Sequence, residues 1–510
     1  MMKQLSKEQL LSIHSNGNIQ LPQAMHLQLP EKVLQFGTGV LLRGLPDYFI
    51  DKANKAGLFN GRVVVVKSTG KGSTDAFAAQ DGLYTLCVRG IEQGKMVAEN
   101  ILNASISRVL SAAAEWPAIL QCAENPGMQV VISNTTEVGI SLTADDVHAA
   151  PPASFPGKLL AFLYRRYQHF KGAEDKGLVI IPTELIVDNG KKLKEIVLEL
   201  AARNNLPQDF TNWVTQANYF CNSLVDRIVP GALPAKEQAT MEQELGYKDA
   251  LMIMAEAYRL WAIETNSPVV RERLSFSEAD SGVILAPDIN VFRELKLRLL
   301  NGTHTFSCGL AVLAGFGTVR QAMEDTAMEA CIAALMLQEM APAITDIYIT
   351  AAEAARFANS VLDRFRNPHI AHQWLSITMQ YTSKMKMRNV PVLLRHYSRT
   401  QEVPQLMALG FAAYLLFMRS EQTAEGAYKG TANGQQYTIQ DDHAAWFHDQ
   451  WKRLEPGVLV KTVLSNTELW GTDLTALKGF APAVTGMLSA LLQEGPRSVI
   501  KKVNHVKMSV

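Results

Sequence analysis

Four short apolar runs set the frame within which this chain folds. Val33-Leu34-Gln35-Phe36, Val63-Val64-Val65-Val66, Val130-Val131-Ile132-Ser133 and Leu178-Val179-Ile180-Ile181 are almost continuously apolar, and stretches of helical periodicity separate them. A strand with one wet face alternates polar and apolar residues. A strand buried on both faces does not, and such strands belong to largely parallel sheets covered by helices. Val283-Ile284-Leu285-Ala286 reads as a last strand before the texture changes. From residue 289 onward β-branched runs become rare and helical periodicity dominates, with Gln321 to Met340 and Gln405 to Arg419 reading as core helices. The expected fold class is α/β: a largely parallel sheet domain over residues 1–288, followed by a mostly α-helical domain over 289–510. No internal repeat and no low-complexity linker interrupts this plan. Gln422 to Gln440, rich in Gly, Thr and Gln, reads as a surface loop with some strand.

Composition removes several classes of function. Formal net charge is zero and no long basic run occurs. A nucleic-acid partner, which needs clustered Lys and Arg to displace counterions, is not expected. The five cysteines, Cys87, Cys122, Cys221, Cys308 and Cys331, are scattered, odd in number and form no CxxC pair. They read as reduced thiols rather than as a disulfide framework or a zinc site. Met1 to Gln20 is polar and lacks the apolar centre of a signal peptide. The longest apolar run, Leu406 to Met418, is too short for a bilayer span and reads as a buried helix. These features describe a soluble, cytoplasmic protein without a membrane partner.

The first strand runs directly into Gly37-Thr38-Gly39-Val40-Leu41-Leu42-Arg43-Gly44. Glycines after a buried strand permit a tight turn and a close approach of backbone to a pyrophosphate, which the following helix N-terminus then receives. The spacing is GxGxxxxG rather than GxGxxG, so a purely structural turn is the competing reading; the position after the first strand favours a dinucleotide. An acidic residue commonly ends the second strand and binds the adenosine ribose. Here Lys67-Ser68-Thr69-Gly70 stands in its place, either as a solvated strand end or as a cation suited to the 2′-phosphate of NADP. Ser133-Asn134-Thr135-Thr136-Glu137 lies at another strand's C-terminal end, where sheets of this type bind ligands; it serves equally as a polar turn capping a helix.

The chemistry-bearing stretch is Glu294-Leu295-Lys296-Leu297-Arg298-Leu299-Leu300-Asn301-Gly302-Thr303-His304-Thr305. On a regular α-helix, at about 100° per residue, His304 falls about 80° from Lys296 and Asn301 about 140° from it. The three then share a broad face with His304 between the others. A ketone reductase needs a proton donor, hydrogen bonds to the carbonyl oxygen, and a group that orients neighbouring hydroxyls. Lys296, Asn301 and His304 are suited to those tasks in that order. A solvated lysine and a structural histidine are the competing reading. Gly302 in mid-helix costs about 1 kcal/mol relative to alanine, which points to a close approach by a ligand or another backbone. No His/Cys/Glu cluster has the spacing of a metal site.

These residues resemble the polyol-specific long-chain dehydrogenases, the mannitol dehydrogenase family, from about residue 33 to 480. The pattern Lys-x4-Asn-x2-His matches Lys296, Asn301 and His304, and GxGxFxR matches Gly37, Gly39 and Arg43, with Leu41 in place of the aromatic. Gln80-Asp81-Gly82-Leu83-Tyr84-Thr85, Val225-Asp226-Arg227-Ile228 and Arg364-Phe365-Arg366-Asn367-Pro368 follow in the expected order. Ser133 to Glu137, Thr183-Glu184-Leu185-Ile186 with Asn189-Gly190, Asn301-Gly302-Thr303-His304, and His372-Gln373 resemble a branch that acts on sugar acids. The resemblance implies a Rossmann-type N-terminal domain, a helical C-terminal domain, and an active site between them. It also implies NAD, bound by Gly37, Thr38, Gly39, Val40, Leu41, Arg43, Asn134, Thr135 and Glu137, and no catalytic metal. One departure stands out: a family asparagine that helps bind the reacting oxygen is absent where Thr183-Glu184-Leu185 occurs, and Asn189 is the expected replacement. Asp226 is expected to contact the lysine or the substrate, its alternative being an ion pair with Arg227. Lys384 and Arg388, from a basic segment that includes Lys386 and Arg395, are expected to receive the carboxylate of a sugar-acid substrate. Fructuronate or a neutral polyol as substrate, a non-enzymatic dinucleotide-binding regulator and an NAD-retaining epimerase are the readings that compete.

Overall fold

In the computed structural model, residues 2–10, 12–13, 17–69, 73–135 and 138–507 are described. The chain divides into two units: residues 1–90 with 96–289, and residues 91–95 with 290–510.

The first unit is built on six parallel strands, β1 (Glu31–Phe36), β2 (Arg62–Lys67), β3 (Ile106–Ser111), β4 (Val130–Ser133), β5 (Val179–Pro182) and β6 (Tyr219–Phe220). Their spatial order is β3-β2-β1-β4-β5-β6, the doubly wound order of dinucleotide-binding sheets, whose direction of winding reverses between β1 and β4. Alternate residues of each strand enter two separate cores. Val33, Val63, Val65, Val130, Ile132 and Val179 pack with Phe49 and Trp261 on one face. Leu34, Phe36, Val64, Val66, Val131 and Ile180 pack with Trp116, Leu159 and Phe162 on the other. Successive side chains of a strand point to opposite faces, so burial on both sides is why these segments read as unbroken apolar runs.

Helices Ala112–Cys122, Phe155–Phe170, Asn189–Arg203 and Gln208–Ala217 cover the second face. The first face carries helix Pro46–Lys55 and two three-stranded sheets. In one, Tyr84–Glu92 lies between Ile253–Glu256 and Lys95–Asn103; in the other, Leu260–Glu264 lies between Val283–Ala286 and Ser223–Asp226. Val283–Ala286 is therefore a strand as expected, but it pairs with Leu260–Glu264 rather than with the main sheet.

The second unit is helical apart from a three-stranded antiparallel sheet, Glu421–Gln422, Tyr428–Ala432 and Gln435–Thr438, in the region read as a loop with some strand. Helix Gln405–Phe417 is buried around nearly its whole circumference, which accounts for its uniform apolarity. It packs on helices Phe480–Glu494 and Gly302–Leu313. The expected helix from 321 to 340 is broken at Asp325, whose extended backbone and carboxylate cap the helix Thr326–Ala334 through the N–H groups of Ala327 and Met328. No helix among the described residues is long and apolar enough to cross a membrane. All five cysteines are free and buried.

Candidate functional site

In the first unit, β1 ends at Phe36 and the chain turns at Gly37, whose φ is +129°. A Cβ at Gly37 would stand 2.8 Å from the Asn134 carbonyl oxygen and 2.8 Å from Leu42 Cδ1. The ends of β1 and β4 thus approach as closely as backbone allows, and only glycine fits. Gly39 is the opposite case: a Cβ there meets nothing within 4 Å, and its backbone precedes helix Val40–Gly44. First-turn N–H groups of a helix lack an intrahelical acceptor. The turn with its open face at Gly39 therefore fits a pyrophosphate, with Thr38 half-buried at its centre. Val40 and Leu41 pack their side chains on the core, so what they offer a ligand is backbone N–H. The helix breaks at Leu45 (φ −134°, ψ −76°), because Pro46 opens the next one and has no N–H to continue the first.

Arg43 requires a correction. Its guanidinium turns inward, donates from Nη1 to the Leu251 carbonyl at 2.6 Å, and lies over the rings of Phe77 and Tyr84. Burial pulls its proton affinity down. A side chain so enclosed supports the turn from behind and does not reach a phosphate. Lys67 is not a solvated strand end either: it is buried, and its ammonium donates to the Thr69 carbonyl at 2.7 Å.

The loop after β4 is held by a residue to which the sequence assigns no role of its own. Glu184 is 3 % exposed; one carboxylate oxygen accepts from Thr135 N and Oγ1 at 2.9 and 3.0 Å, the other from Ser133 Oγ at 3.1 Å. Burial pushes its carboxyl above the usual range, and these hydrogen bonds oppose the shift. Asn134 donates from Nδ2 to Thr183 Oγ1 at 3.0 Å. Asn134 and Thr135, expected as cofactor contacts, thus have side chains committed to joining the ends of β4 and β5. Thr136 and Glu137 lie outside the described residues.

Asn189 is the second correction. It is fully buried, and Nδ2 lies 3.0 Å from the carbonyl oxygens of Pro182, Glu184 and Ser223. Its Oδ1 accepts from Gly190 N and Ser223 N, both at 2.9 Å. Every hydrogen-bonding position is filled by backbone, so Asn189 joins β5, helix Asn189–Arg203 and strand Ser223–Asp226, with no group left for a reacting oxygen. Asn189→Ala is expected to destabilise this unit by about 2–4 kcal/mol by stranding buried backbone groups. A lowered urea midpoint with unchanged kcat/KM per folded molecule would bear this out; a fall in kcat/KM at unchanged stability would refute it. Asp226 closes its strand and is buried. Arg227, its expected ion-pair partner in the alternative reading, donates instead to the carbonyls of Glu256 at 2.9 Å and Gly44 at 2.7 Å.

In the second unit, Asn290–Leu295, Lys296–Asn301 and Gly302–Leu313 run on as one rod, and the middle segment is a π-helical turn. This changes the expected geometry. Closure from i to i+5 brings residues five apart nearer to one face than a regular α-helix does, so the 140° separation of Lys296 and Asn301 contracts. Two further π turns, Leu335–Met340 and Met385–Asn389, pack against it. A Cβ on Gly302 would meet Met340 Cε at 2.8 Å, so the close approach inferred for Gly302 is made by a neighbouring side chain. Asn389, fully buried, donates to the Gly302 carbonyl at 3.0 Å. Arg298, also buried, donates to the carbonyls of Met387 and Arg388. These bonds supply partners to main-chain groups at the irregular turns.

Lys296 and Asn301 are half-buried. His304 stacks on Phe365 with centroids 4.2 Å apart and planes 16° apart, and meets His372 and Trp374 edge-on at 5.2 and 5.9 Å. The residue as a whole is half-buried, yet Nε2 is shut off from solvent and has no hydrogen-bond partner. Burial, followed by His372, Arg364, Arg388 and Lys384, holds its proton affinity well below the usual imidazole range, so the ring is neutral near pH 7. Arg388 Nη1 donates to Thr305 Oγ1 at 3.2 Å, and Lys384 Nζ to the Ile377 carbonyl at 2.8 Å. The second unit thus gathers Lys384 and Arg388 around His304, which stands eight residues along the rod from Lys296. Among the described residues, no three His, Cys, Asp or Glu side chains gather as a metal-binding group.

A doubly wound nucleotide-type sheet and a helical unit carrying a Lys-Asn-His rod define the class, and comparison with known proteins defines the family. The mannitol dehydrogenase Rossmann domain matches residues 31–276 and the mannitol dehydrogenase C-terminal domain matches residues 288–492. The chain belongs to the mannitol dehydrogenase family. It is 38 % identical over 483 residues to the altronate oxidoreductase of Klebsiella pneumoniae (strain 342), covering 93 % of this chain and 97 % of that one. It is 39 % identical over 481 residues to the altronate oxidoreductase of Cronobacter sakazakii, covering 92 % and 96 %. Among solved structures, the fold is similar to Pseudomonas fluorescens mannitol 2-dehydrogenase in ternary complex with NAD and D-mannitol (22 % identity, TM-score 0.64, 98 % and 99 % of the two chains). A substrate-free D-sorbitol dehydrogenase is similar as well (20 % identity, TM-score 0.73, 97 % and 100 %).

Proposed function

We propose that this chain is an NAD-dependent altronate oxidoreductase, reducing the ketone of tagaturonate to altronate and running in reverse. The names of its relatives support the substrate. The observation that carries the site is the buried, unpartnered Nε2 of His304. A sealed polar atom without a partner costs about 1–3 kcal/mol, a cost that a substrate hydroxyl relieves on binding.

NAD fits the Gly37–Gly39 turn, where backbone N–H groups of Gly39, Val40 and Leu41 would hold its pyrophosphate. Lys67, bonded to Thr69, is not offered to a 2′-phosphate. When bound, NADH supplies the hydride that the keto carbon needs. The chain's own residues do the rest. Lys296 gives a proton from Nζ to the forming alkoxide oxygen and takes it back in the oxidative direction. Asn301 donates a hydrogen bond to that oxygen as its charge develops. His304 accepts or donates at Nε2 to orient a neighbouring hydroxyl. Lys384 and Arg388 receive the carboxylate, and Asp226 is a further substrate contact. Lysine acid–base chemistry needs no metal. Five buried free thiols suit a reducing cytoplasm, and the partner of the reaction besides the dinucleotide is a small sugar acid.

The test is loss of NADH absorbance with tagaturonate, fructuronate and fructose in parallel, repeated with NADPH. Fast turnover of tagaturonate with NADH supports the reading. Preference for fructuronate or fructose keeps the family and overturns the substrate, and no turnover despite tight NADH binding overturns the enzyme.

A further inference from the structure

The His372 ring, edge-on to His304 with centroids 5.2 Å apart, is placed by main chain rather than by bonds of its own. Its carbonyl accepts from Val319 N at 2.9 Å, Trp374 N donates to the Gly317 carbonyl at 3.0 Å, and Gln373 bridges Thr318. The ring is half-buried, and its nitrogens bond no side chain or backbone group among the described residues. Positive charge acts on both imidazoles, Lys384 on each and Arg364 and Arg388 on His304 as well. Lys384 and Arg388, placed by their bonds to the Ile377 carbonyl and to Thr305 Oγ1, make the wall beside these rings suited to an anionic ligand group.

We propose that His372 is the specificity-determining residue that reads the substrate's carboxylate, closing on it together with Lys384 and Arg388 and taking up a proton as it does. This rests on the reading of the chain as a sugar-acid oxidoreductase. In the free enzyme, burial and then the Lys384 charge hold His372 below the ordinary imidazole value, so near pH 7 it is neutral. A docked carboxylate cancels the Lys384 field and offers the ring an acceptor, which raises its proton affinity. Binding and protonation are therefore linked. The sign follows: the anion binds more tightly when the ring is protonated. Between the free and the occupied proton affinities, KM for a sugar acid rises with pH by up to about tenfold per unit. A neutral ketose has no carboxylate to close the linkage and shows no such slope.

The experiment is the pH dependence of kcat and KM between about pH 5 and 8, for wild type, His372→Asn and His372→Lys, with tagaturonate and with fructose as substrate or competitive inhibitor. His372→Asn is expected to raise KM for tagaturonate about tenfold at the acid end and to abolish its slope, with kcat within a few-fold. His372→Lys, a fixed cation, is expected to restore a low KM without restoring the slope, which mere damage to packing would not do. Constants for fructose stay level in all three proteins. A slope that survives in His372→Asn, an equal change for fructose, or no rescue by lysine overturns the proposal. Wild-type turnover of tagaturonate with a pH-independent KM overturns it while leaving the proposed function intact. Failure to turn over any sugar acid defeats the proposed function itself.

Discussion

Lys296→Ala is expected to lower kcat for tagaturonate reduction by about 10²–10⁴-fold, the range that a positioned general acid contributes. NADH affinity, measured by quenching of protein fluorescence, stays unchanged, because the dinucleotide turn belongs to the other unit. The loss falls on kcat and kcat/KM alike, the pattern of an interaction made only in the transition state. Lys296→Arg is a sharper control, since it keeps the charge but holds its proton too tightly to transfer it. Near-normal turnover in either variant would remove Lys296 from the proton-transfer role and leave the rod a binding element.

The second large effect is expected at Gly37. Gly37→Ala puts a methyl 2.8 Å from the Asn134 carbonyl oxygen and from Leu42 Cδ1, at a φ of +129° that alanine rarely adopts. Strained backbone of this kind costs on the order of 1–3 kcal/mol, and the clash forces the loops after β1 and β4 apart. The dissociation constant for NADH is expected to rise by about 100-fold, equivalent to nearly 3 kcal/mol, while the far-UV spectrum stays native. Gly39→Ala is the matched control: its Cβ enters open space, so any loss of affinity there reports contact with the dinucleotide and not strain. Equal, small effects at both positions would show that the turn does not hold a pyrophosphate.

The parts of this fold that were legible in sequence are those buried on both faces. β1, β2, β4 and β5 appeared as apolar runs because their alternate residues enter two cores. β3 was missed because Ile106–Ser111 carries Arg108, whose guanidinium reaches out to Glu31. Tyr219–Phe220, with only two residues, leaves no pattern to read. The hairpin Tyr84–Glu92 and Lys95–Asn103 is buried at its base and exposed towards its tip, and reads as neither core strand nor helix.

For the candidate site, Lys296, Asn301 and His304 are singled out by residue type and order, but their geometry is not legible, because a π turn has no side-chain signature of its own. The interval of five from Lys296 to Asn301 is, in retrospect, the one hint. Arg43 and Asn189 were misjudged for a shared reason: polar residues beside a ligand loop look the same in sequence whether they face the ligand or brace the loop. Burial and a full set of backbone partners distinguish the two. Glu184 is given no role in the sequence because its importance lies in three hydrogen-bonding atoms of Ser133 and Thr135, about fifty positions away.

The hairpin between Tyr84 and Asn103 carries a consequence for how the molecule can be divided. Its tip, Ile91–Lys95, is grouped with the helical unit, where Gly94 N donates to the Asp363 carboxylate at 3.1 Å. The polypeptide consequently passes from one unit to the other three times, at 90, 95 and 289, and not once. Severing it before Asn290 does not yield two whole pieces: the C-terminal fragment lacks five residues of its own structure, encoded some two hundred positions upstream. During synthesis, the ribosome delivers that tip long before the helices that receive it. An insertion or fusion partner is therefore best kept out of 91–95, although this segment lies at the tip of a hairpin, where insertions are ordinarily tolerated.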